Sequence, residues 1–262
     1  MIKYYVIIFI VICQLGFTNS SNNIEFINQH NNDNALLVMI SGYKGARDWQ
    51  EFKKLIIDDD SLKQYDILIY GLEKDMGIND NVKKIKKTLN DGYSKYQEYI
   101  LISFSLGGIV TKQYVLNQLR GSDKHYSKIS YVIFIGTPHI KDKFTVSFFK
   151  SAAALFTKPF LNQLLKDASE NKQLSKINAG WIQKIEKNKE NYIGNITIFG
   201  RDDGYVKPEE LDNHFQGEYR VISGTHRQLV KDLDKNHCSF KIVRSKLLNK
   251  QTKISQVSCI NP

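Results

Sequence analysis

The run Tyr99-Ile100-Leu101-Ile102-Ser103-Phe104-Ser105-Leu106-Gly107-Gly108-Ile109-Val110 leaves the chain few folds to choose from. Its first half is filled with branched apolar residues, the pattern of a strand buried on both faces. Its second half runs on through Val110, Tyr114, Val115 and Leu119, spaced as one face of a helix. Between them lies a small-x-Ser-x-Gly-Gly corner. A strand that turns at once into a helix holds the bend residue in strained geometry and lifts its side chain clear of the sheet. The residues two before and two after must be small if strand and helix are to pass each other. Here they are Ser103 and Gly107. Ser105 is therefore a candidate nucleophile, and the N–H groups at the helix start suit an oxyanion. The same letters also fit a strand, a turn and a helix in any α/β protein, so the remaining chain has to decide.

That remainder alternates. Ala35 to Gly42 reads as a buried strand, followed by a helix from about Arg47 to Ile57 with Trp49, Phe52, Leu55 and Ile56 on one face. Asp66–Gly71 is a second strand and Asn79–Tyr96 a second helix. Strands are expected again at Tyr131–Gly136, Asn195–Gly200 and Tyr219–Ser223, with a closing helix from about Ser239 to Leu248. Apolar strands alternating with amphipathic helices predict a mostly parallel sheet with helices on both faces. From about 140 to 190 the alternation stops. Phe144, Phe148, Phe149, Phe156, Phe160 and Leu164 lie in a long apolar helical tract, followed by Leu174, Ile177, Trp181 and Ile185. A tract of this length is not a loop. It is expected to be a helical cap at the active edge of the sheet, its apolar residues packing as core or lining an acyl pocket.

Ligands of such sheets bind beyond the carboxyl ends of the strands, so the residues just after each strand carry the chemistry. A serine hydroxyl needs a base within hydrogen-bond reach and a third group to orient that base. After the Asn195–Gly200 strand come Asp202 and Asp203. After the last strand comes Gly224-Thr225-His226. The order Ser, Asp, His is the one this architecture requires. Asp203 fits Gly-x-x-Asp-x-x-Val and is preferred to Asp202. His226 lies a few residues after its strand and just before a helical run, and is preferred to His214 and to His237, which sits near the final helix. The expected oxyanion donors are the N–H groups of Leu106 and Tyr43, the latter beside Gly42, where the backbone can approach closely. Histidines and cysteines show no metal-ligand spacing, and no nucleotide-binding glycine loop occurs.

Together these residues resemble a lipase-type α/β-hydrolase, in the serine esterase branch that includes lipid-remodelling and GPI-inositol-deacylase-like enzymes. Ser41-Gly42-Tyr43-Lys44-Gly45 with Asp48-Trp49 is similar to that branch's His-Gly-aromatic loop. Ser103–Gly108 resembles its nucleophile elbow, and Phe134-Ile135-Gly136-Thr137-Pro138-His139 its Gly-Thr-Pro-His segment. The likeness runs from about Leu36 to Leu248. Ser41 stands where the family usually has His, Ser103 where it has Gly, and Ile140 where Gly often follows the Pro-His pair. The resemblance implies ester hydrolysis without a cofactor, and a structural rather than catalytic His139. A thioesterase or an acyltransferase would use the same residues; the alternative is a non-catalytic binding module on the same scaffold, against which the intact Ser-Asp-His order argues.

Residues 1–20 read as a leader: Lys3, an apolar Tyr4–Cys13 core too short to span a bilayer comfortably, then Thr18 and Ser20 as a small-x-small cleavage signal. The expected protein is exported, its hydrolase domain covering 21–262; the alternative is an uncleaved N-terminal anchor. Two cysteines then remain, Cys238 and Cys259, which either bridge or stay as free thiols. The net charge of +10 suits an anionic membrane surface. The lysines are spread along the chain, and the group Lys83, Lys84, Lys86 and Lys87 alternates with Val82, Ile85 and Leu89, as on the wet face of a helix. No nucleic-acid motif accompanies them. The expected partner is an ester or lipid substrate, acted on by a monomer. Asn195-Ile196-Thr197 matches a glycosylation signal but falls on an expected buried strand.

Overall fold

The computed structural model describes residues 23–29, 34–42, 45–73, 75–120, 126–139, 172–208, 217–250 and 259. The expected leader, Tyr43, His214 and the apolar tract 140–171 lie outside the described residues. Strands are β1 (Ile24–Ile27), β2 (Ala35–Ile40), β3 (Tyr65–Tyr70), β4 (Glu98–Phe104), β5 (Ile129–Ile135), β6 (Gly194–Gly200) and β7 (Glu218–Ile222). The helices are α1 (Gln50–Ile57), α2 (Ile78–Gly92), α3 (Leu106–Arg120), α4 (Lys172–Trp181) and α5 (Cys238–Leu248).

The strands form one seven-stranded sheet in the order β1-β3-β2-β4-β5-β6-β7. Every pairing is parallel except β1 on β3. Sequence reading had no β1. It is four residues long and lies in an Asn-rich stretch, too short for its alternation to stand out.

Side chains of a strand alternate between faces, and here that period separates two cores. Leu36, Val38 and Ile40 of β2 join Leu101 and Phe134 under α2, α3 and α4. Leu37 and Met39 join Ile102, Ile133 and Ile198 under α1 and α5. The central strands are apolar on both faces because both faces are covered. Leu174, Ile177, Trp181 and Ile185, expected in the cap tract, are all buried in the first of these cores.

The exposed side of α2 is wet, as its lysines suggested: Lys83 pairs with Asp80, Lys84 with Glu73 and Lys87 with Asp91. Asn195 of the glycosylation signal is 2 % exposed on β6, and its amide donates to Ile193 O. Cys238 and Cys259 form a disulfide with Cα atoms 5.4 Å apart, tying the tail to the start of α5. Among the described residues no helix is long and apolar enough to cross a membrane.

Candidate active site

β4 ends at Phe104 and α3 begins at Leu106, so Ser105 alone makes the turn. It takes φ of +53°, a left-handed conformation that a serine adopts only when its surroundings impose it. Its N–H donates to Ile135 O at 2.9 Å, which pins the corner to β5. The approach is so close that a Cβ on Gly107 would stand 2.5 Å from Ser41 O and 2.6 Å from Ile40 O. Only glycine fits there. Ser103 is fully buried, and its hydroxyl donates to Ile133 O at 3.3 Å. The corner therefore accepts a serine where the resembled family has glycine. Ser41 is also fully buried; its hydroxyl accepts Leu72 N–H and donates to Gly42 O, both at 3.2 Å.

Ser105 Oγ lies 2.9 Å from His226 Nε2, and His226 Nδ1 lies 2.7 Å from Asp203 Oδ2. Residues separated by 121 and 23 positions meet because β4, β6 and β7 end at the same edge of one sheet. The Asp203 side chain has no exposed surface and that of His226 only 15 %. The other oxygen of Asp203, Oδ1, accepts N–H bonds from Tyr205 at 2.8 Å and Val206 at 2.9 Å. An ionised carboxylate only accepts, so Nδ1 carries the imidazole proton and Nε2 is left to accept from the serine hydroxyl. That is the tautomer a general base for Ser105 requires.

The competing residues have other duties. Asp202 Oδ2 accepts Gly224 N–H at 3.4 Å across the loops after β6 and β7. His237 precedes α5, and its Nδ1 accepts Ser239 N–H at 3.2 Å as a helix cap. Burial holds the His237 ring below the usual histidine range. His139 is buried beneath the sheet edge and touches neither Ser105 nor His226 through any of its hydrogen bonds to Lys112 and Thr197.

Three neighbours of the imidazole escaped the sequence reading. The Phe104 ring lies 4.8 Å from that of His226, tilted 33°, and the Tyr205 ring meets it edge-on at 5.4 Å. Gly136, at φ +52°, backs it so closely that a Cβ would sit 3.1 Å from Cε1 and Nδ1. Phe104 adjoins Ser105, and Tyr205 lies two residues after Asp203. Nothing in the one-dimensional pattern says that both face the histidine.

Leu106 is the first residue of α3, so its N–H has no acceptor within the helix and lies at the positive end of the dipole. It can serve as one oxyanion donor. The other expected donor, Tyr43, is not among the described residues; Gly42 before it has its Cα side against Ser105 Cβ, where an added Cβ would meet it at 3.1 Å. Among the described residues no group of three His, Cys, Asp or Glu could hold a metal ion.

Solved structures share this architecture over most of both chains. A carboxylesterase of Nitrososphaera gargenis is similar at TM-score 0.57 and 14 % identity, over 89 % of this chain and 98 % of that one. A thermophilic esterase from Thermogutta terrifontis gives 0.56 at 10 % identity, over 87 % and 93 %. A lipase-esterase related protein from Clostridium acetobutylicum gives 0.53 at 15 % identity, over 86 % and 98 %. No protein-family model and no curated protein sequence matches the chain. The chain has the α/β-hydrolase fold, as the resemblance implied.

Proposed function

We propose that the protein is a serine ester hydrolase with Ser105 as nucleophile, His226 as base and Asp203 as the residue that orients it. The observation that carries this reading is the unbroken hydrogen-bond line from Ser105 Oγ through His226 to buried Asp203, set at a strained elbow. Ser105 attacks an acyl carbonyl while His226 Nε2 takes its proton. The tetrahedral oxyanion is held by Leu106 N–H, with Tyr43 N–H as the second donor. His226 then protonates the leaving alcohol, and water, activated by the same histidine, releases the acyl group. Asp203 stabilises the imidazolium formed on the way. These steps need only the side chains named and water.

Fatty-acyl or lipid esters are the proposed substrates. The apolar tract after His139 and the net charge of +10 favour a greasy acyl chain presented at an anionic surface. Export is proposed with it: the leader-like residues 1–20 agree with a disulfide, which persists in oxidising compartments. The esterases and lipases among the similar solved structures support the reaction class.

The experiment is fluorophosphonate labelling of the mature protein beside Ser105→Ala and His226→Ala, with the adduct mapped by peptide mass. A single adduct on Ser105, absent from Ser105→Ala and at least about 10³-fold slower in His226→Ala, is expected. A folded protein that takes no label, with or without detergent, would instead be a binding module on a hydrolase scaffold.

A further inference from the structure

A second polar cluster lies where α3 and α4 pack on β5 and β6. Lys112, on α3, is 1 % exposed. Its Nζ donates to Asn178 Oδ1 of α4 at 2.8 Å and stands 3.1 Å from His139 Nδ1. On a further side it faces the Phe134 ring, 5.4 Å from the centroid. His139 is 8 % exposed, with Nε2 2.9 Å from Thr197 Oγ1 on β6. Glu186, beyond α4, is the carboxylate that acts on Lys112 by charge, and it accepts Trp181 Nε1–H at 2.9 Å.

With Lys112 charged, donor and acceptor inventory fixes the tautomer of His139. An ammonium has only N–H groups to give, so His139 Nδ1 must accept. The ring proton then sits on Nε2 and is donated to Thr197 Oγ1. Burial, with the lysine charge beside it, holds His139 well below the usual histidine range, so the ring is neutral. Burial also draws Lys112 down to about 7. A neutral amine still has N–H groups to donate, so the same bonds survive in either state.

Burying an amine is a poor way to gain stability, since desolvation offsets most of what its partners return. Geometry offers another reason for it. His139 ends the segment Gly136-Thr137-Pro138-His139. The start of that segment backs the catalytic imidazole at Gly136, whose N–H donates to Ile198 O at 2.8 Å. Thr137 fills the space over Gly108 in the first turn of α3, and among the described residues its buried Oγ1 has no hydrogen-bond partner. Among the described residues the segment is held by Gly136 N–H at one end and by His139 at the other. Lys112 supplies that second hold from α3, the helix that starts just after Ser105.

We propose that Lys112 and His139 are positioning residues for the triad: Lys112 clamps His139, and the clamp fixes the Gly136–Thr137 turn on which His226 rests relative to Ser105. The role rests on the ester-hydrolase reading above. It predicts losses in turnover rather than in substrate binding, because the cluster reaches the imidazole only through Gly136, which backs the His226 ring.

The test compares Lys112→Met, which keeps the bulk and removes the donor, with His139→Asn, whose Oδ1 can replace Nδ1 as acceptor, and His139→Leu, which cannot. Turnover and KM are measured on a p-nitrophenyl ester, alongside the pH dependence of fluorophosphonate inactivation and the final stoichiometry of label. Lys112→Met and His139→Leu are expected to lower both kcat and the inactivation rate about tenfold at unchanged KM, with full final labelling. The acid limb of the inactivation profile shifts in both, and His139→Asn recovers most of the rate. Rates within about twofold of the parent in every variant overturn the proposal. So do equal losses in His139→Asn and His139→Leu, or a loss equal to the unlabelled fraction, which marks unfolding alone. If Lys112→Met does not fold, the two His139 variants decide. A parent that takes no label overturns the ester-hydrolase reading and the positioning role together, whereas a labelled parent with unaffected variants overturns only the latter.

Discussion

Two histidines in this molecule hold their protons on opposite nitrogens, and in each case the neighbour decides. Asp203 can only accept, so His226 is protonated on Nδ1; Lys112 donates, so His139 is protonated on Nε2. Asp203→Asn tests the first. Its amide would face the imidazole or the Tyr205 and Val206 N–H groups with a donor where an acceptor is needed. Turnover should fall by about 10⁴-fold while the circular dichroism spectrum stays that of the parent. Lys112 yields a second prediction, in stability. Its folded value, about 7, lies below the unfolded 10.5. Below pH 7 both states are protonated and the full penalty of burying the charge is present. Between 7 and 10.5 the unfolded chain binds the extra proton, so stability rises with pH across that window. Urea denaturation at several pH values should show this rise in the parent and a flatter curve in Lys112→Met. That Ser105, Asp203 and His226 come together was legible because each lies within four residues of the end of an expected strand. Lys112 was not: a lysine in a helix reads as solvated, and only the neighbours brought by β5, β6 and α4 show it to be interior.

At the level of elements, the β4–α3 corner is held by contacts that permit no added atom. Gly107→Ala would drive a methyl group against Ser41 O and Ile40 O, and the corner would have to open. A loss of about 1–3 kcal/mol in thermal or urea unfolding is expected, together with slower labelling of Ser105. The parallel strands were readable because a strand buried on both faces has no polar interruptions. Antiparallel β1 was not, since four residues at an edge give too little pattern. α4 shows the limit from the other side. Its Leu174, Ile177 and Trp181 spacing told of a helix, but the same apolar stripe serves a cap or a core, and the packing against α3 makes it core. Choosing Asp203 over Asp202 rested on the Gly-x-x-Asp-x-x-Val spacing. That spacing has a structural basis: it lets Tyr205 and Val206 turn their N–H groups back onto the carboxylate.

For the molecule as a whole, the disulfide joins residues 21 apart in sequence, and Cys238→Ser with Cys259→Ser should lower unfolding free energy by about 3 kcal/mol. Denaturant titration of that double variant measures it, and the labelling rate of Ser105 in its folded form should be unchanged. The strand order has a consequence in time. Ser105 is made early and stands at the centre of the sheet, while Asp203 and His226 arrive with β6 and β7 at one flank. A chain that has emerged only as far as β5 holds a shaped elbow with no base near it. Its serine is chemically silent until the last strands have joined, so reactivity toward a fluorophosphonate reports the final step of assembly rather than collapse. The latent period between refolded secondary structure and labelling competence is then a direct clock for the docking of β7.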